Sequence, residues 1–321
     1  MKSAAIGAAA RTAALQPAVP PAINATMGLA EWLRIAVLSI IWGGSFFFIE
    51  VAVTHVTPFT LVLCRVGLAA IALLTYGFLT GHRLPKNLSL WGAFLVLGLL
   101  NNLIPFSLIV WSQQHIQSSL ASILNATTPI FSVLLTHFLT REERLTVHRG
   151  AGVLLGWLGV ALLIGVESLE GVNLQIMGYG AVLMAALSYA CAAIFGRRFR
   201  GIPPVTVTTG MLCSSTVMLI PLVLIFEDPM ALHPGPTAVA AILGLSLVST
   251  ALAYIIYFRV LSTAGATNLL LVTFLIPISA SMLGVFVLGE RLGWNALGGM
   301  LIIFAGLVTI DGRLLKGRAK P

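Results

Sequence analysis

Residues able to do chemistry are sparse in this chain, and most of them interrupt long apolar runs, where a polar group is tolerated only with a partner. Glu50 stands near the end of the first run, and Arg65 lies about two turns into the second from the same side. Across a hairpin turning near His55 to Thr57 the two reach similar depths, so they could pair. Such a pair either fixes two helices or serves coupling or gating. No acid lies deep within a run, which argues against a buried carboxylate proton relay.

Uncharged polar residues form a second set. Asn101-Asn102 falls halfway along the third run, and Ser249-Thr250 follows 148 positions later, halfway along the eighth. Their partners must be a neighbouring helix or a water-filled cavity. Two adjacent amides cannot both face one neighbour, so a cavity is expected beside at least one; Pro105 and Tyr254 lie one turn further on. Pro129 and Pro277 are also 148 positions apart, and each frees the carbonyl four residues earlier, at Asn125 and Thr273. Those prolines are expected to kink their helices, and an open carbonyl beside a polar side chain suits an ammonium or hydroxyl. Trp42-Gly43-Gly44-Ser45-Phe46 in the first run is matched 147 positions later by Tyr189-Ala190-Cys191-Ala192-Ala193. An aromatic followed by small residues reads either as close helix packing or as cavity lining.

Other chemistries find no residues to carry them. The three cysteines, Cys64, Cys191 and Cys213, fall on different runs without pairing spacing and read as small apolar fillers. The histidines lie in loops or at run ends, with no HExxH, and no Ser-His-Asp set converges at one depth. Neither a metal nor a cofactor is implied, and catalysis has no candidate residues.

The elements that position these groups are set by composition. Apolar residues make up 58% and charged residues 9%, with mean hydropathy +1.01. Charged residues are about a quarter of soluble proteins, so this is a membrane chain. Runs of about 20 apolar residues centre near Ser39, Ala69, Asn101, Ser132, Gly156, Leu187, Val217, Ser249, Leu283 and Ala305, which predicts ten spans. Pro58 and Pro203-Pro204 are expected to open the second and seventh, and no loop is long enough for a soluble domain.

The spans fall into two copies. NATTPIFSVLLTHFLTREERL, from Asn125 to Leu145, returns as TFLIPISASMLGVFVLGERL, from Thr273 to Leu292, with Glu143-Arg144 and Glu290-Arg291 147 positions apart. At that offset Gly152 meets Gly299, Gly159 meets Gly306 and Gly165 meets Gly312. The expected division is a disordered tail over 1–30, a first repeat over 31–166, a second over 167–313 and a basic tail over 314–321. Met27, followed by GLAEWLR, would serve as an alternative translation start. Five spans per copy is odd, so the second copy enters the membrane inverted, an arrangement that points to transport. With the N-terminus inside, all 18 Lys and Arg except Arg65 and Arg291 fall on the cytoplasmic side, and both termini are predicted there. The net charge of +8 thus reports topology and gives no support to nucleic-acid binding.

WGGSF near the start, an arginine after a proline-initiated turn in helix 2, helices 4 and 9 that contain proline and end on an ERL-type motif, and glycine-rich helices 5 and 10 together resemble the EamA family of the drug/metabolite transporter superfamily. The resemblance covers about residues 33 to 312. It implies ten helices in two inverted halves, with helices 1, 3, 4, 6, 8 and 9 around a central cavity, in a bacterial inner membrane. Its members export or import small metabolites, amino acids among them. The expected function is export of neutral or aromatic amino acids by alternating access, by a monomer or loose dimer whose other partner is the lipid bilayer. An importer of the same fold is the near alternative, and an intramembrane enzyme the distant one. Substrate contacts are expected from Trp42, Ser45 and Phe46 on helix 1, Asn101 and Asn102 on helix 3, and Asn125 on helix 4. The second half would add Tyr189, Ser249, Thr250, Tyr254 and Thr273. Amides and hydroxyls would orient polar groups while aromatics cover an apolar side chain.

Overall fold

The computed structural model describes residues 28–82, 84–139, 146–165, 173–269 and 271–311. Residues 1–27 and 314–321 of the expected tails, Arg83, and the Glu143-Arg144 pair lie outside the described residues, while Leu29 and Ala30, counted with the tail, already belong to the first helix. Among the described residues ten long apolar helices follow one another: α1 Leu29–Val53, α2 Pro58–Leu79, α3 Leu88–Ser112, α4 Ser118–Leu139, α5 Val147–Ile164, α6 Leu174–Phe199, α7 Pro204–Phe226, α8 Pro236–Gly265, α9 Leu271–Phe286 and α10 Trp294–Asp311. All but α9 have at least 18 residues and the hydropathy of a membrane span. Helical backbone also runs over residues 266–269, between Gly265 and the 16 residues of α9. Gly265, at φ 78°, makes the turn where α8 ends, a backbone geometry that favours glycine.

Local signals account for the helix ends. Pro58 and Pro204 open α2 and α7, where a missing N–H costs nothing. Asn87 and Asn173 cap α3 and α6 by accepting from Ser89 N and Ile176 N, each at 2.9 Å. Leu158 and Leu301, on the outward faces of α5 and α10, remain largely exposed, as lipid-facing side chains must.

The two halves meet most tightly where α5 lies on α10. A Cβ built on Gly152 would stand 2.6 Å from the Gly306 carbonyl, and one on Gly299 would stand 2.6 Å from the Gly159 carbonyl. These contacts interchange when the repeats are exchanged, so the seam carries the pseudo-two-fold of the fold. On the other side Gly43 lets α1 sit directly on Ser279 and Ala280 of α9, and Ser279 Oγ donates to the Ser39 carbonyl at 2.7 Å. Gly98 admits α7 within reach of α3, opposite Met211 and Ser215.

Among the described residues α3, α8 and α4 depart from regular geometry within their length. α3 widens into a π turn over Leu99–Leu103, and α8 does so over Gly244–Leu252. The two π segments enclose the repeat-matched pairs Asn101-Asn102 and Ser249-Thr250. Thr250 Oγ1 donates to the Leu245 carbonyl, five residues back, at 2.8 Å. That bond spans the wide turn from within, and π turns recur at functional sites. The third departure is α4, which breaks between Asn125 and Thr128 just before Pro129. Pro277 behaves differently: it lies inside the continuous α9.

Candidate functional site

One polar residue and several aromatics of the spans gather around Arg65. On α2, this side chain is only 6% exposed, and its Nε donates to Thr250 Oγ1 on α8 at 3.1 Å. Its guanidinium lies over the Phe106 ring of α3, 3.6 Å from the centroid. Tyr189 of α6 and Tyr254 of α8 stand within electrostatic reach of the charge. Phe106 meets Tyr189 edge to face at 6.4 Å, and Asn101 Nδ2 donates to the Tyr254 hydroxyl at 3.3 Å. From Tyr254 the aromatics continue to Tyr257 at 6.3 Å and from there to Trp42 of α1 at 5.8 Å. One cation, one amide and a ring-lined surface are thus assembled from both halves at the mid-length of α3 and α8. Such a set can hold an aromatic or apolar body by its rings and a polar group by its donors.

Arg65 and Glu50 do not form the expected pair. Glu50 Oε2 accepts from Gln113 Nε2 at the end of α3, at 2.9 Å, and the same nitrogen donates to the Phe46 carbonyl at 2.9 Å. Depth along a hairpin was the wrong guide, because direction around the helix axis decides who meets whom. Arg65 is turned to α3 and α8, and Glu50 to the far end of α3.

The four repeat-matched polar residues also separate. Asn102 is fully buried and donates to Ser215 Oγ on α7 at 3.0 Å, while Asn101 stays half-buried beside Tyr254. Ser249 donates to the Ile41 carbonyl of α1 at 2.9 Å, and Thr250 is committed to Leu245 and Arg65. Asn102 and Ser249 therefore join helices, where substrate contacts were expected from all four. A step of about 100° per residue sends neighbours to different sides, so one residue of each pair faces a helix.

The remaining candidates are scattered. Phe46 is buried in the main apolar core. Ser45 Oγ and Asn125 Oδ1 are buried without a hydrogen-bond partner among the described residues. The Asn125 carbonyl expected to be open is taken by Thr128 Oγ1 at 2.8 Å. Thr273, half-buried on α9, is engaged in protein contacts, and Pro277 is buried there.

Two carboxylates hold helix starts, a role that nothing in the sequence assigns to Glu227 or to Glu290, which stands there only as a mark of the repeat. Glu227, just past α7, accepts from Thr57 Oγ1 at 2.6 Å, Phe59 N at 2.9 Å, Thr60 N at 2.7 Å and Thr60 Oγ1 at 2.8 Å, at the start of α2. Glu290 accepts from Ser118 N at 2.8 Å, Ser118 Oγ at 2.6 Å, Ser119 N at 3.1 Å and Ser119 Oγ, at the start of α4. Both stand at the end of the bundle opposite Leu29. The available signal was two helices opening on hydroxyl residues with no acid in the first turn, a positive end in want of an anion.

Comparison with known proteins agrees with this architecture. The inner membrane transporter YedA of Escherichia coli K12 is 30% identical over 295 residues, covering 87% of this chain and 90% of that protein. A Salmonella typhimurium LT2 protein named as a probable amino-acid metabolite efflux pump is 26% identical over 281 residues, 84% of this chain and 90% of its own length. A solved crystal structure with 18% identity superposes at a TM-score of 0.66 over 90% of this chain and 99% of that one, which shows a shared fold. The EamA-like transporter family model matches twice, over residues 31–165 and 176–310, once on each of the halves joined by the glycine seam. A bundle duplicated in sequence and matched along both halves is therefore a membrane transporter of many spans, and the chain belongs to the EamA-like transporter family.

Proposed function

We propose that this transporter exports small metabolites from the cytoplasm, with neutral or aromatic amino acids as substrates, by alternating access of its two halves across a bacterial inner membrane. The observation that carries the reading is the bond between Asn101 and Tyr254, which closes a ring-lined cluster from opposite repeats. Rocking of one half against the other would open and close that cluster. The name of the Salmonella relative supports the substrate class, and the name of YedA supports the membrane. An importer of the same fold would use the same residues with the gradient reversed. Flux in proteoliposomes, measured in both directions with a panel of amino acids, decides between them; absence of flux for every solute would remove the reading.

Both termini are proposed to be cytoplasmic because Arg34, Lys86, Arg149, Arg197, Arg198, Arg200 and Arg259 crowd the end where α1 begins. Reporter fusions after Lys86, Arg149 and Arg200 should behave as cytoplasmic, and one at Asp228 as external. The reverse pattern would invert the direction of transport proposed here.

The two adjacent amides should respond differently to truncation. Asn101→Ala is expected to lower substrate affinity roughly five- to a hundred-fold with little change in melting temperature, as for a lost ligand hydrogen bond of about 1 to 3 kcal/mol. Asn102→Ala should instead lower stability by about 1 to 2 kcal/mol, since it removes the donor to Ser215 between α3 and α7. Binding and melting curves on both variants check this, and identical behaviour would count against the division.

A further inference from the structure

We propose that Arg65 is the receptor for a negative group on the transported solute, a carboxylate seated against the free edge of its guanidinium. The inference rests on the transporter reading above and deepens it by naming the group that the site recognises.

The argument is one of missing charge. Arg65 is the only buried basic residue among those described, and none of the described carboxylates pairs with it. Glu31 is held by Arg34 and Gly28, Glu50 by Gln113, and Glu227 and Glu290 by the starts of α2 and α4. Asp228 caps a turn through Met230 N, and Asp311 closes α10 at the end of the bundle. A guanidinium withdrawn from water and from counter-charge is costly, and the fold retains it where an apolar residue would pack at less cost. In the second repeat the position 146 residues on, the spacing of Pro58 and Pro204 at the starts of α2 and α7, holds Met211, so helix packing at this depth does not demand a cation.

The groups around Arg65 occupy some of its faces and leave others. Nε is spent on Thr250, whose own hydrogen is spent on Leu245, so the guanidinium plane is fixed by a fully committed hydroxyl. Phe106 covers one face. Among the described residues Nε is the guanidinium nitrogen that donates a hydrogen bond, which leaves Nη1 and Nη2 as a planar two-pronged edge of the kind that holds a carboxylate through parallel bonds. Asn101 and the Tyr254 hydroxyl lie beside it, and the rings of Tyr189, Tyr257 and Trp42 extend the surface. A single cation in an aromatic setting suits one negative charge on an apolar body. Thr250 acts as a positioning residue that aims the fork.

Four probes separate the parts of the solute: phenylalanine, phenylacetate, phenylalaninamide and phenethylamine, with binding measured on the purified full chain and flux in proteoliposomes. Phenylalanine and phenylacetate should bind the parent at least tenfold more tightly than the two probes that lack a carboxylate. Arg65→Gln should abolish that preference by weakening the carboxylates tenfold or more while leaving the amide and amine unchanged, and Arg65→Lys should restore part of it. Thr250→Val, which keeps the charge and loses the aim, should narrow the preference. The comparison within the parent needs no variant, so poor folding of Arg65→Gln leaves the test intact. A parent that binds amide and acid alike, or a folded Arg65→Gln that keeps the preference, overturns the assignment while transport stands. Lack of flux for amino acids, sugars and nucleosides alike would overturn the transport reading together with it.

Discussion

Gly152→Val should prevent stable assembly of the bundle, with a loss of at least about 3 kcal/mol, the upper range for overpacking in a core. The new side chain would begin 2.6 Å from the Gly306 carbonyl and 2.9 Å from Ile310 N. Both obstacles are backbone, so no rotamer change can make room. Separating α5 from α10 instead would open the repeat-related contact of Gly159 with Gly299, where a Cβ on Gly159 already meets the Gly299 carbonyl at 2.8 Å. Helices in lipid have no hydrophobic effect to pull them together again, and close packing is their main cohesion. Gly299→Val and Gly306→Val should therefore fail in the same way. Gly92→Ala and Gly180→Ala are the controls, since nothing lies within 4 Å of a Cβ at either place. Size-exclusion profiles and melting curves in detergent would show the difference. A Gly152→Val protein that elutes and melts like the parent would mean that α5 and α10 do not form this seam.

Those glycines show how far a sequence can be read. Their equal spacing in two copies marked helices 5 and 10 as equivalent, but only the inversion of one copy makes Gly152 meet Gly306 and Gly159 meet Gly299. Hydropathy located the spans, and proline the starts of α2 and α7, because both signals are local. The division of labour between Asn101 and Asn102 was not legible, since it depends on rotation about the α3 axis, which the π turn at Leu99–Leu103 alters. Arg65 was noticed as a charge in a span, yet its partners Phe106 and Thr250 stand 41 and 185 positions away on helices that no local pattern connects to it. The same holds for Glu290 and its four donors, 171 and 172 positions apart.

Glu290→Gln should cost about 2 kcal/mol of stability, more than a surface carboxylate would, because the group it alters is an acceptor for donors only. Two backbone N–H groups and two hydroxyls at the start of α4 all point at its oxygens. Glutamine keeps the shape, but it replaces one oxygen with an NH2 that faces Ser118 or Ser119 as donor against donor. It also removes the negative charge from the positive end of a helix, where an anion is favoured. Ser118 and Ser119 are fully buried, so water cannot substitute freely. Glu290→Asp keeps the charge and loses reach, and should fall between the two. Glu227→Gln should act similarly at the start of α2, somewhat less because Thr57 and Thr60 are only half-buried. The two carboxylates share no partner, so the double variant should lose the sum of the single effects. Melting curves of the three variants and the double test this directly. Glu290→Gln melting with the parent would show that the serine donors are satisfied without the carboxylate, and that the tie between α4 and the segment after α9 contributes nothing to the fold.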